Sequence, residues 1–415
     1  MIDFTPDVAA SLPGRPEERR RAATRLAEVP LPTAQAEDWR YSPIDQLDLG
    51  SFRPAMELGP LPQQQVEALL AVHPERAATV VVIDGFVQSC EVDAGWASKG
   101  LEVLTDPAVA VAPVHAHRET ALDLLHDAFS PGPVVIRVRP GAAIEAPVLV
   151  VQVVTGAGLA CFPHVVVDVG ADAELTVVEH RISGSGSALV VPLVELAVGP
   201  AARLGYAEVQ DLEPQVWQLG RQVSSVAGQG SLTAATAAFG AGYARVRTDC
   251  DLVGRGASGT LLAAYFGDDD QTVDFRTFQN HRAPDTTSDL VFKGALDGRA
   301  GSVYSGLIRI HPDGGGSNAF QTNRNVKLSD EAWAWSVPNL EIENNNVRCS
   351  HASTVSPVDE DQQFYLQSRG VPPAIADRLI VAGFFDEVVR RMPSAAVRRL
   401  VQSRIADKLD KREER

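Results

Sequence analysis

Cys349 and His351 have the residue types and spacing that metal chemistry uses. Residues two apart on an extended strand point to one face, with Cα atoms about 7 Å apart, so this thiol and imidazole can share one metal ion or cluster. They supply only half of a tetrahedral set, and the other ligands must come from another turn of the chain or from a second subunit. The competing reading is a packed thiol beside an ordinary surface imidazole, because unpaired cysteine is among the most buried residue types.

Other candidate motifs carry less. Gly254, Gly256 and Gly259 form a literal Gly-x-Gly-x-x-Gly, but the segment after them, Thr260 to Gly267, reads as a strand where a nucleotide loop requires a helix. The chain has no Gly-x-x-x-x-Gly-Lys-Ser/Thr loop, so any ATP use is expected in a partner. Asp268, Asp269 and Asp270 lack the glycine and distal glutamate of a calcium loop and read as a solvated turn. His115 and His117 could share a strand face, yet no third ligand lies near them in sequence. Without a Gly-x-Ser-x-Gly elbow or a His-Glu-x-x-His helix, the sequence offers little for self-contained catalysis.

The elements that must position Cys349 and His351 follow from a repeat. Gly141, Gly170, Gly199 and Gly228 recur every 29 residues and Gly256 follows 28 later, each between short valine-rich runs. A fixed period of strands with glycine corners predicts a parallel β-helix, in which each turn bends sharply and buries its apolar face on the next. An antiparallel sandwich would instead favour Asn-Gly or Asp-Gly hairpins every 8 to 12 residues. The expected fold is mostly β, a parallel β-helix (solenoid) core over residues 133–365 with N-terminal and C-terminal α-helical regions.

A charged helix is predicted over 16–28, within an N-terminal helical region spanning 1–60, and Trp39 and Tyr41 could anchor it on a neighbour. A mixed α/β lead-in covers 61–132, with a helix near 63–71 and strands at 79–88 and 100–104. Residues 366–415 form a C-terminal helical region read as a partner-docking platform. Ile375, Leu379, Ile380, Phe384, Val388 and Val389 fall at helix-face spacings there, and Phe384 and Phe385 beside Gly383 provide a bulky anchor. Leu379, Ile380, Phe384, Phe385 and Val388 are therefore the candidate partner-binding residues.

With a formal net charge of −16 over 415 residues, the chain is a poor nucleic-acid binder. Its four cysteines are far apart without a Cys-x-x-Cys pair, and no signal-like start precedes them, so a reducing cytoplasm is the expected location. No apolar run approaches the roughly 20 residues a membrane helix needs.

Several segments in order resemble the SufB/SufD family: His281 to Ser288, Phe292 to Gly294, Gly301 to Ile308, Gln321 to Asn325, Cys349 to His351 and Asp361 to Gly370. The chain looks closer to the SufD branch, because the stretch from Gln321 to Ser329 lacks the cysteine typical of SufB. Asn344, Asn345 and Asn346 replace a usually acidic corner. The resemblance implies a noncatalytic scaffold subunit of a complex assembling iron-sulfur clusters. Its partners would be a SufB-like subunit and a SufC-like ATPase docked on the C-terminal helices. It also implies a nascent iron-sulfur cluster held transiently at the subunit interface, with His351 contributing and Cys349 beside it. Two rivals remain: a β-solenoid enzyme acting on polysaccharide, and a SufB-like subunit that pairs with itself. The sequence alone establishes neither a flavin site nor its absence, while an exposed solenoid edge favours a homodimer of the isolated chain.

Overall fold

The computed structural model describes residues 3–112, 114, 120–156 and 158–413. His115 and His117 lie outside these described residues. Two long sheets face each other, and from Pro133 onward the chain passes between them turn by turn. One sheet runs from Leu101–Leu104 to Trp333–Ile342, the other from Phe86–Val92 to Arg348–Pro357. Neighbouring strands are parallel and in register except at the start, where Ala78–Ile83 pairs antiparallel with Phe86–Val92 and Leu101–Leu104 with Pro133–Val138. This is the expected solenoid, with helices at both ends of the chain.

The glycine period marks one column of corners. A Cβ on Gly170 would stand 2.7 Å from the backbone nitrogen of Pro140, and one on Gly199 would stand 2.8 Å from the carbonyl oxygen of Val169. At these two positions successive turns stack too closely for any side chain, whereas Gly141 has open space and is held by its positive φ of 74°. Between the sheets lies a lumen filled in its first half by Val134, Val150, Val167, Val177, Val194 and Leu196, all buried. It also encloses a charged group. Arg181 bonds Glu179, Glu208, Gln152 and Gln218, and Tyr206 donates to Glu179 at 2.6 Å. Burial raises the Glu208 carboxyl, opposed by the adjacent guanidinium.

Helices Pro6–Ser11 and Pro16–Leu26 lead into an extension that crosses the outer face of the first sheet. Trp39 lies 3.8 Å under the Arg245 guanidinium and Tyr41 stacks on Trp335 at 4.4 Å, the anchoring role expected of this aromatic pair. Arg245 and Arg276 also donate to the carbonyls of Asp38 and Arg40. Two further helices, Pro373–Val389 and Ala395–Glu413, cover the outer face of the second sheet, packing Val381, Phe385, Val397, Val401 and Ile405 on Val178, Val209 and Leu262. Between helix Gln63–Val72 and this sheet, His73 and His180 share one hydrogen bond between their Nε2 atoms at 2.7 Å. Burial holds both imidazoles neutral, His73 down to about 4 and His180 to about 3.

Candidate interface at the open end of the solenoid

The last two strands position the candidate ligands. Among the described residues, Trp333–Ile342 pairs along one edge only, with Gly301–Ile310, and Arg348–Pro357 along one edge only, with Asn318–Lys327. Register places Cys349 over Ala319, His351 over Gln321 and Ser353 over Asn323. Because Ala319, Gln321 and Asn323 are buried in the lumen and strand side chains alternate, Cys349 and His351 share the inward face at its uncovered end.

The corner before them is structural. Asn344 donates to the carbonyl of Pro312 at 2.7 Å and accepts from the backbone of Asn346, whose own carbonyl accepts from Gly316. These bonds stack the asparagine turn on the turn below and bring the final strand back into line. The two candidate ligands then differ in setting. Cys349 is half-buried against Ile308, Ile310 and Ala319, and burial pushes its thiol up. His351 is exposed. No group of three histidine, cysteine or acidic side chains that could hold a metal ion converges among the described residues.

Below them the lumen is polar. Tyr265 donates to Asn325 at 2.7 Å and accepts from Asn323, and Thr277 bonds Tyr304 at 3.0 Å. Around the rim are exposed apolar side chains: Trp335, Val337, Ile342, Phe320 and Val355. Unpaired backbone edges beside such a fringe make a surface suited to pairing with another chain.

The segment from His281 to Ser288 builds a corner. His281 is enclosed, bonding Thr286 and Ser288 at 2.8 Å each, and Thr286 meets Ser317 of the next turn. Burial holds His281 neutral, down to about 4. Gly294 leaves room for the Tyr265 ring, which a Cβ there would strike. Lys293, one residue earlier, points the other way and donates to the Phe384 carbonyl at 2.8 Å and to Glu387 at 2.6 Å. That pairing lowers the Glu387 carboxyl. Lys293 thus ties the C-terminal helices to the sheet, a role its place in a short motif did not signal.

Of the candidate partner-binding residues, Leu379 is 52 % exposed and Ile380 and Phe384 are half-buried. Phe385 and Val388 are corrected: at 1 % and 0 % exposure they face the second sheet and hold the helix down. Helix Glu360–Ser368 buries none of its residues and leaves Phe364 75 % exposed. Gly383 has open space beside it. The other sequence features are corners: strand Ser258–Gly267 already begins before the last glycine of the triplet, Asp270 pairs with Arg299 and Asp268 with Lys408.

Known proteins resemble this chain in sequence. The SufBD core domain of SUF-system iron-sulfur cluster assembly proteins matches residues 152–384. An iron-sulfur cluster assembly SufBD family protein of Mycobacterium tuberculosis is 32 % identical over 284 residues, 66 % of this chain and 70 % of the relative. A SufBD family protein of Mycobacterium leprae is 35 % identical over 232 residues, 54 % of this chain and 58 % of the relative. The iron-sulfur cluster assembly protein SufD of Bacillus subtilis is 28 % identical over 299 residues, 71 % of this chain and 68 % of the relative.

Proposed function

The chain belongs to the SufBD family of iron-sulfur cluster assembly proteins, and from that membership we propose that it is a noncatalytic scaffold subunit completed by two partners. A SufB-like chain covers the open end of the solenoid, and a SufC-like ATPase docks on the C-terminal helices. The observation that carries this reading is the pairing of an incomplete ligand set with unpaired strand edges: His351 and Cys349 lie on the inward face of a strand whose other edge lacks a neighbour among the described residues. A partner strand laid there would bring further ligands and enclose the site. The nascent iron-sulfur cluster is cargo held between subunits, with the His351 imidazole as one donor and the Cys349 sulfur as a second, its proton released to solvent as the metal binds.

For the ATPase, the exposed Leu379 together with Ile380 and the rim of Phe384 forms the contact surface, and Lys293 links that surface to the strand beneath it. Movement of a docked subunit would therefore be felt in the solenoid wall two turns from His351.

Co-expression with candidate SufB-like and SufC-like chains, followed by mass measurement of the purified assembly, tests the reading. A mixed complex is expected, in which His351→Ala keeps the subunits together and loses cluster assembly. Only homodimers in that measurement, or full cluster yield from the His351→Ala complex, would count against it.

A further inference from the structure

Buried polar atoms without partners gather at one end of the molecule. Among the described residues, eleven buried side-chain nitrogen and oxygen atoms make no hydrogen bond, and seven of them fall between Gln279 and Ser336. Both atoms of the Gln321 amide are among them, although the residue is 1 % exposed. Its neighbours along the strand are satisfied: Asn323 and Asn325 bond each other and Tyr265. Gln279, inward-facing on strand Thr272–His281, is left in the same state, so Gln321 is one of two lumenal glutamine amides without partners where buried polar groups are paired as a rule.

Position separates Gln321 from Gln279. Gln321 is the inward-facing residue directly beneath His351 in the parallel ladder, one strand spacing of about 4.8 Å away. Its amide crosses the lumen to within 2.5 Å of where a Cβ of Gly306 would stand, so glycine at that position keeps the room the amide occupies. Above it the lumen is covered only by the last turn, where His351 is exposed. An imidazole that turns inward when a partner closes this end meets one polar side chain first, and that side chain has both a donor and an acceptor free.

Building on the scaffold reading above, we propose that Gln321 is the positioning residue for His351. In the assembled complex its amide bonds one ring nitrogen of His351, fixing the tautomer and ring orientation so that the other nitrogen faces the metal. Histidine ligands ordinarily have their second nitrogen held in this way, and losing the outer partner weakens metal binding by about 10- to 100-fold. Within the uncovered chain the amide has no such partner, so its polar atoms are a liability until assembly.

The test uses the co-expressed, metal-free complex with nitrogen-15-labelled histidine, and the variants Gln321→Met and Gln321→Glu. Methionine matches the length of glutamine without its polar atoms. In the unaltered complex one His351 tautomer is expected. Gln321→Met should mix the tautomers and weaken ferrous-ion binding about 10- to 100-fold, while the Tm of the isolated chain stays level or rises. Gln321→Glu, which keeps an acceptor oxygen, should restore a single tautomer. An unchanged tautomer and ferrous affinity in Gln321→Met, with His351→Ala abolishing binding, would overturn this assignment and leave the scaffold reading standing. If His351→Ala itself leaves ferrous binding intact, the scaffold reading fails at this site and the role of Gln321 fails with it.

Discussion

The two ends of the solenoid are built from the same repeat and finished differently. At the start, antiparallel strands Phe86–Val92 and Leu101–Leu104 close the two sheets, and the charged group inside the early turns is fully partnered, Arg181 bonding four neighbours. At the finish, both sheets stop on parallel strands with one edge unpaired among the described residues, apolar side chains ring the rim, and the Gln321 amide beneath it lacks partners. The contrast separates two uses of buried polarity. A satisfied network holds one set of turns in one register, whereas an unsatisfied group near an uncovered end is, on the proposal above, completed when a partner from outside the chain closes that end.

The largest effect that would sharpen this contrast is at the closed half. Arg181→Met leaves two carboxylates facing each other in the lumen, and should cost about 3–5 kcal/mol, seen as a drop in the denaturant midpoint. A change below about 1 kcal/mol would mean the network is not what holds these turns. Next, Phe385→Ala removes a fully buried ring from between helix and sheet and should cost about 3 kcal/mol or more, with faster amide exchange confined to the C-terminal helices.

Acid should act on the same helices. His73 and His180 have folded values near 4 and 3, below the ordinary histidine value of about 6.5, so the unfolded chain binds more protons between those limits. Stability is therefore full above about pH 6.5 and falls as pH drops toward 4, by an amount on the order of a few kcal/mol. Charged groups from helix Ala395–Glu413, Arg399 and Arg404, already disfavour a positive imidazole there. Hydrogen exchange at pH 5 against pH 7.5 should show these helices loosening before the strands under them, and equal protection at both values would contradict that. The smallest effect belongs to the open end: His351→Ala and Leu379→Ala, both at exposed positions, should move the melting free energy by no more than about 0.5 kcal/mol. In the assembled complex the first should abolish cluster assembly and the second should weaken ATPase capture, and a large loss of stability in either would mean the open end has a structural duty of its own.

Much of this was legible in the residues. The 29-residue glycine period announced stacked turns, with only glycine fitting at Gly170 and Gly199 where one corner presses on the last, and the spacing of Cys349 and His351 put them on one face. The facing of helix Pro373–Val389 was not legible. Leu379, Phe384, Phe385 and Val388 are all apolar, and with apolar residues around the whole helix the sequence does not say which of them meets the sheet. Gln321 was hidden for a related reason. The strand Gln321, Thr322, Asn323, Arg324, Asn325 is polar throughout, so alternation between inside and outside leaves no hydropathy trace, and only the register of the folded turn reveals a buried amide under a surface histidine.

Stacked turns have a further effect on how the molecule comes apart. Within the solenoid each turn pairs only with the turns above and below it, so the strand contribution to stability is summed largely from adjacent turns. The final turn has a neighbour on one side only and can peel away at the cost of a single interface, while the turns behind it stay zipped. Fraying is thus directional, beginning at Arg348–Pro357 and travelling back toward the valine-lined half. A protease offered the free chain should cut first in that last turn, while the turns held under the C-terminal helices resist.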